Sequence, residues 1–198
     1  MLKKVILLLI IAFAVTTTKA QTADEVYNSY LDFNLARLEG RTENALELGE
    51  QLMPNADKLT DKARISFYYS LGNLYENDSQ SAKALPLYEK VAAAVPDYYV
   101  VQRALGYMYM KQVQDIATKL NAAKTDAAEN KRLTDLYATA VKKVLPHLEK
   151  AQACDPDNDT LSLIKTLYKN IKDDKGLSTL NSRLATLAKN CVDLLSDK

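Results

Sequence analysis

The stretch Ala84-Leu-Pro-Leu-Tyr-Glu-Lys-Val-Ala-Ala-Ala-Val-Pro96 returns 60 residues later as Val144-Leu-Pro-His-Leu-Glu-Lys-Ala-Gln-Ala-Cys-Asp-Pro156. A leucine, a proline, the Glu-Lys pair, an alanine and the closing proline recur at matching places. A chain that repeats a segment of this length builds one supersecondary unit several times, and such units bury their apolar faces against one another. The segment itself reads as helix. It is rich in alanine and ends in proline, which lacks the N–H a helix interior needs and disfavours helix at the residue before it. The same bias runs through the whole chain, which holds only 5 glycines and 5 prolines in 198 residues. Long stretches consist of the better helix formers Ala, Leu, Lys, Glu and Gln. No run alternates apolar and polar residues with period two, so the expected class is all-α.

The repeat extends upstream. With Ile65 as position one of a 34-residue unit, Tyr68 stands at position four, Leu71 at seven, Gly72 at eight, Tyr75 at eleven, Ala84 at twenty, Tyr88 at twenty-four and Pro96 at thirty-two. Counting again from Tyr99 puts Leu105, Gly106 and Tyr109 at seven, eight and eleven. This spacing resembles the tetratricopeptide repeat, a helix–turn–helix unit, with one departure at position twenty-seven, where Val91 replaces the usual alanine. Gly72 and Ala84 are small where the two helices of a hairpin pass closely, and Leu71, Tyr75 and Tyr88 fill the space around them. The resemblance implies a right-handed superhelix of about four antiparallel helix pairs, a TPR-like α-solenoid. Its clearest copies are residues 65–98 and 99–158.

A degenerate copy precedes these at an offset of 39, where Tyr30, Asn34, Leu35, Ala45 and Leu46 match Tyr69, Asn73, Leu74, Ala84 and Leu85. Its extra residues fall in a polar connector, Pro54 to Thr60. Downstream, Leu161, Ile164, Leu167 and Tyr168 share one helical face, and Leu177, Leu180, Leu184 and Leu187 another, which reads as a divergent final hairpin. The 60-residue offset exceeds one unit by 26 residues, placed near 111–136. That insertion contains neither Pro nor Gly, so helix continues on both sides, and Asp126-Ala-Ala-Glu129 looks like a capping box for the second arm. Each helix gains about 20 Å at 1.5 Å per residue. The elongated pair is a candidate partner-binding or dimerisation arm, or an elongation whose few apolar residues (Val113, Ile116, Leu120, Leu133, Leu136) serve only to pack it on itself.

Residues 1–20 combine Lys3 and Lys4, an uncharged apolar run from Val5 to Val15, and small residues Thr18 and Ala20 before polar Gln21. These are the parts of a secretory signal peptide, and a run that short falls well below the roughly 20 residues of a membrane span. The expectation is cleavage after Ala20, leaving one helical domain, residues 21–198, in the periplasm or secreted, with no membrane insertion. The whole chain has 26 basic and 25 acidic residues, and without the three lysines of the leader the balance is 23 to 25. Nucleic acid is not an expected partner, because phosphate neutralisation needs a basic surface. Cys154 and Cys191 enter an oxidising compartment, which allows a disulfide between them; the alternative is two small buried thiols.

Nothing in the chain assembles a catalytic set. His147 is the only histidine, two distant cysteines and one histidine do not make a zinc site, and no nucleotide-binding glycine loop is present. The expected protein is not an enzyme and needs no cofactor. The tetratricopeptide resemblance implies that first-helix positions two, five, nine, twelve and thirteen face a concave groove. Carried onto this chain, these give Tyr30, Tyr69 and Arg103 at five, Asn34, Asn73 and Tyr107 at nine, and Glu76, Asn77, Met110 and Lys111 at twelve and thirteen. A clamp that some family members use for C-terminal carboxylates needs Lys and Asn at set places; Asn73 meets one, while Tyr69 and Ala104 stand at two others. The expected function is a scaffold or adaptor that holds a protein or peptide in this groove. The alternatives are a small-molecule or glycan binder with tyrosines stacking on sugar rings, and a structural homodimer built through the elongated pair.

Overall fold

Helix α1 (Ala23–Leu38) begins where Thr22 closes a capping box. Its hydroxyl accepts from the Glu25 N–H at 3.2 Å, and the Glu25 carboxylate accepts from the Thr22 N–H at 2.7 Å. The computed structural model describes residues 21–195, so the leader expected at residues 1–20 lies outside the described residues. Among the described residues the chain forms nine α-helices and no extended sheet: α1, α2 (Thr42–Leu52), α3 (Asp61–Asn77), α4 (Ser81–Ala94), α5 (Tyr99–Ala122), α6 (Ala127–Cys154), α7 (Asn158–Asn170), α8 (Asp174–Ser178) and α9 (Leu180–Leu187). The fold class is therefore all-α. Most helices pack on their neighbours in the chain, most closely within the pairs α1–α2, α3–α4 and α5–α6, while α9 packs mainly on α6.

Side chains decide where these helices begin. Thr60, Asp126, Asp157 and Asp173 each accept from a backbone N–H in the first turn of α3, α6, α7 and α8, satisfying donors that no helical carbonyl can reach. Asp126 does this for the arm, as its sequence suggests. Helix α4 stops at Ala94, before Pro96. At the ends of α1, α3 and α7 the chain turns through Gly40, Ser79 and Lys172, all with positive φ. The following N–H then bonds back five residues: Arg41 to the Ala36 carbonyl, Gln80 to Tyr75, and Asp173 to Tyr168. This is the Schellman termination.

Helix α5 breaks that pattern. Val113 stands 34 residues after Ser79, and a β-branched side chain resists positive φ. The helix runs on to Ala122, and the arm closes at Ala123–Asp126. Val113, Ile116 and Leu133 are buried there, which leaves Leu136 on the arm's surface.

The repeat glycines sit at close helix crossings. A Cβ on Gly72 would lie 2.8 Å from the Tyr88 ring, and one on Gly106 would lie 2.5 Å from Leu148. Tyr88 and Leu148 are themselves related by the 60-residue offset. Two expectations need correction. The polar connector after α2 is not free of the core: Met53–Lys58 form a 3-10 helix, and Ala56 and Leu59 are buried. The final hairpin is not two helices, because its second arm is divided into α8 and α9 at Thr179.

Beyond α9 the chain turns back along the molecule. Val192 donates to the Asp97 carbonyl at 2.9 Å and accepts from the Tyr99 N–H at 3.2 Å. The buried ammonium of Lys150 holds the same segment, bonding the Asp97 carboxylate at 2.6 Å, the Leu187 carbonyl at 3.1 Å and the Asn190 carbonyl. Cys154, the last residue of α6, and Cys191 are joined as a disulfide with Cα atoms 5.6 Å apart.

Candidate functional site

Eight of the ten positions expected to face the groove separate into three groups. Tyr30 and Met110 belong to the core. Tyr30 is 1 % exposed, with its ring 6.4 Å from Phe67, and Met110 is buried in α5. Neither offers a surface: contrary to expectation, both side chains lie in the core, covered by the helices packed on that side.

A second group is committed to internal contacts. Asn34 accepts from Arg37 at 3.3 Å. Arg103 binds the Asp155 carboxylate and the Asp155 carbonyl, each at 2.7 Å, and so ties α5 to the turn before α7. Tyr69 is half-buried, edge-on to Tyr98 with ring centres 5.1 Å apart. Asn73 accepts from Asn77 at 3.1 Å and also meets the Tyr88 hydroxyl.

Glu76 and Tyr107 form the third group, and the structure brings them together. They line one solvent-open cleft of about 440 Å³ with Ser81, Leu85, Met108 and Lys111, between α3, α4 and α5. Tyr107 is 46 % exposed, and its hydroxyl lies 2.9 Å from Thr160 on α7. Glu76 accepts from the Tyr88 hydroxyl at 2.7 Å. Burial, and then the Glu76 carboxylate, push the Tyr88 phenol far above its ordinary value, so Tyr88 stays protonated and holds Glu76 as a fixed acceptor. The cleft thus offers an aromatic face, a carboxylate and an ammonium beside apolar Leu85 and Met108. It does not reach Tyr69.

A larger hollow of about 660 Å³ lies between α6, α7 and α9. Of its two cations, Lys142 and Arg183, the latter is fully engaged. The guanidinium binds the Glu149 carboxylate at 2.9 and 2.7 Å, the Tyr168 hydroxyl at 2.8 Å and the Gly176 carbonyl at 2.8 Å.

That cluster is one of three alike, which the repeat analysis did not single out. At successive junctions a first-helix tyrosine donates to a glutamate on the preceding second helix, and a cation from the following second helix covers both. Tyr75 donates to Glu50 at 2.9 Å, with Lys83 2.8 Å from the carboxylate and 4.9 Å from the ring centre. Tyr109 donates to Glu89, with Lys143 at 3.6 Å and 3.8 Å. Tyr168 donates to Glu149, with Arg183 at 2.7 Å and 5.3 Å. The signal was present, because Glu50 and Glu89 are 39 apart, while Glu89–Glu149 and Lys83–Lys143 are 60 apart.

His147 stands where Leu87 stands in the sister segment. It is partly buried, against the Tyr109 ring, with Nδ1 2.5 Å from the Gln102 side-chain oxygen. Among the described residues no group of His, Cys, Asp and Glu could hold a metal ion, and no helix is long and apolar enough to cross a membrane. Fold and site together define an all-α protein of packed helix hairpins with a mixed aromatic and charged cleft. No known protein family, no curated protein and no solved structure matches the chain.

Proposed function

We propose that the protein is a non-catalytic adaptor of tetratricopeptide type, exported to the periplasm or beyond, that holds an extended segment of another protein. The observation that carries this reading is the cleft where Glu76, Tyr107 and Lys111, from two successive first helices, converge beside Leu85 and Met108. An aromatic ring supplies contact area with little entropy to lose. The carboxylate and ammonium on either side suit the donors and acceptors of a peptide backbone and its polar side chains. The cleft is open to solvent, which suits an extended chain better than a small molecule enclosed. The repeated Tyr–Glu–cation sets support the tetratricopeptide reading, because they recur at the same register of successive helix pairs.

The test is selection from a random-peptide library on the chain, followed by affinity measurement with Tyr107→Ala/Lys111→Ala. Both side chains are exposed, so the fold tolerates the change. The expected outcome is enrichment of related peptides whose binding weakens at least about tenfold in the variant, as for a contact of hot-spot strength. Enriched peptides that bind both proteins equally would remove the cleft assignment, and no enrichment would remove the adaptor reading.

A further inference from the structure

Helix α1 is apolar on two faces. Val26, Tyr30, Phe33 and Ala36 are buried in the core. On another face Tyr27, Leu31, Leu35 and Leu38 are 47, 47, 52 and 74 % exposed. These four are the majority of the seven large apolar side chains exposed among the described residues. Spaced by four, four and three, they form one stripe along the helix.

The repeat register shows what kind of surface the stripe is. At the 39-residue offset, Asp24, Asn28 and Asp32 correspond to Ala63, Phe67 and Leu71, all buried. Those α3 residues meet the preceding pair: Phe67 lies edge-on to Phe33 at 5.1 Å, and Leu71 packs at Gly49. In α1 that broad stacking face has become polar, as the outer face of a terminal repeat must. Leu31 and Leu35, which correspond to the buried Ser70 and Leu74, remain apolar beside it. What is left is a seam one helix wide, unsuited to stacking a further helix pair.

We propose that this seam joins two copies of the chain, with α1 packed antiparallel on α1 of the second copy. Pairing a stripe with itself about a twofold axis sets Leu31 against Leu35, and Tyr27 against Leu38, of the second copy. It also sets Asp24, in the first turn, against Arg41 just beyond the last, with opposed helix dipoles. A parallel pairing sets Asp24 against Asp24 instead. The seam is about 17 Å long at 1.5 Å per residue, at the small end of specific interfaces, so the dimer is micromolar rather than nanomolar. The cleft at Tyr107 stays open in such a dimer, so this inference does not depend on the adaptor reading.

Sedimentation velocity of the chain from Gln21 onward, whose described residues close a core among themselves, tests it across low to high micromolar concentration. The wild type is expected to shift from monomer to dimer. Leu31→Asp/Leu35→Asp is expected to stay monomeric with an unchanged circular dichroism spectrum, since both sites are exposed. Asp24→Arg is expected to weaken the dimer, and Asp24→Arg/Arg41→Asp to restore it, which separates antiparallel pairing from a merely sticky surface. A strict monomer at all concentrations overturns the proposal and leaves the stripe to residues 1–20 or to another protein. A dimer that survives the leucine changes but is lost with Leu136→Asp overturns it in favour of the arm.

Discussion

Gly72 and Gly106 show how single residues hold the repeat register. Each lies where the second helix of its own pair presses a large side chain onto the first, and each leaves no room for a methyl group. Gly72→Ala and Gly106→Ala are each expected to cost about 1–3 kcal/mol, the usual range for overpacking. Urea unfolding checks this. Gly40 is a contrast, with φ +73 and no atom within 4 Å of a Cβ position, so Gly40→Ala is strained by conformation alone, by about 1–2 kcal/mol.

His147 carries a pH dependence. Burial first, and then the Lys143 charge, hold its pKa below the ordinary value of 6.5, with the Glu89 carboxylate opposing them. A depressed folded pKa means that the unfolded chain takes up the proton more readily. The stability tied to neutral His147 is thus present above about pH 6.5 and is lost as pH falls through the folded pKa. His147→Leu, the residue of the sister segment, is expected to flatten the stability slope between roughly pH 7.5 and 5.5, measured by urea unfolding across that range. An unchanged slope would mean that His147 is not its source.

At the scale of the element, the turns and the junctions obey the same register. Three first helices end in a left-handed residue, yet only one of those residues is glycine. Ser79→Gly and Lys172→Gly are each expected to stabilise by about 0.5–1 kcal/mol, because the turn demands positive φ whatever residue occupies it. Thermal unfolding midpoints should rise in both. The junctions are held by the Tyr–Glu–cation sets, each with its tyrosine ring buried. Tyr109→Phe is expected to cost about 0.5–1.5 kcal/mol, the net worth of one hydrogen bond. A double-mutant cycle with Glu89→Gln should show that the two changes share one interaction.

At the scale of the whole molecule, the strap after α9 draws the two ends of the chain's second half together. It reaches from the end of α6, through the disulfide, to the turn between α4 and α5. The link spans 37 residues, and Cys154→Ser/Cys191→Ser is expected to cost about 2–4 kcal/mol. Hydrogen exchange should show the amides of Tyr99 and Val192 losing protection first, with the arm at Ala123–Asp126 unaffected. Much of this architecture was legible beforehand. The helix pairs, the glycine crossings, the stop at Pro96 and the arm all rest on local propensity and on a one-dimensional repeat, which the residues carry wherever the helices come to lie. The facing of each helix was not legible. Tyr30 and Tyr69 hold the same position in the register, yet one is core and the other half-buried, because the exposure of a position is set by what packs on either side. The strap was likewise hidden, since its backbone bonds and the buried Lys150 join segments with no shared pattern. Local propensity and the repeat dictate most of the helical segments and their alternation, apart from the 3-10 turn after α2 and the break at Thr179. Only tertiary packing decided which side chains were left facing solvent, because that depends on neighbours the register does not encode.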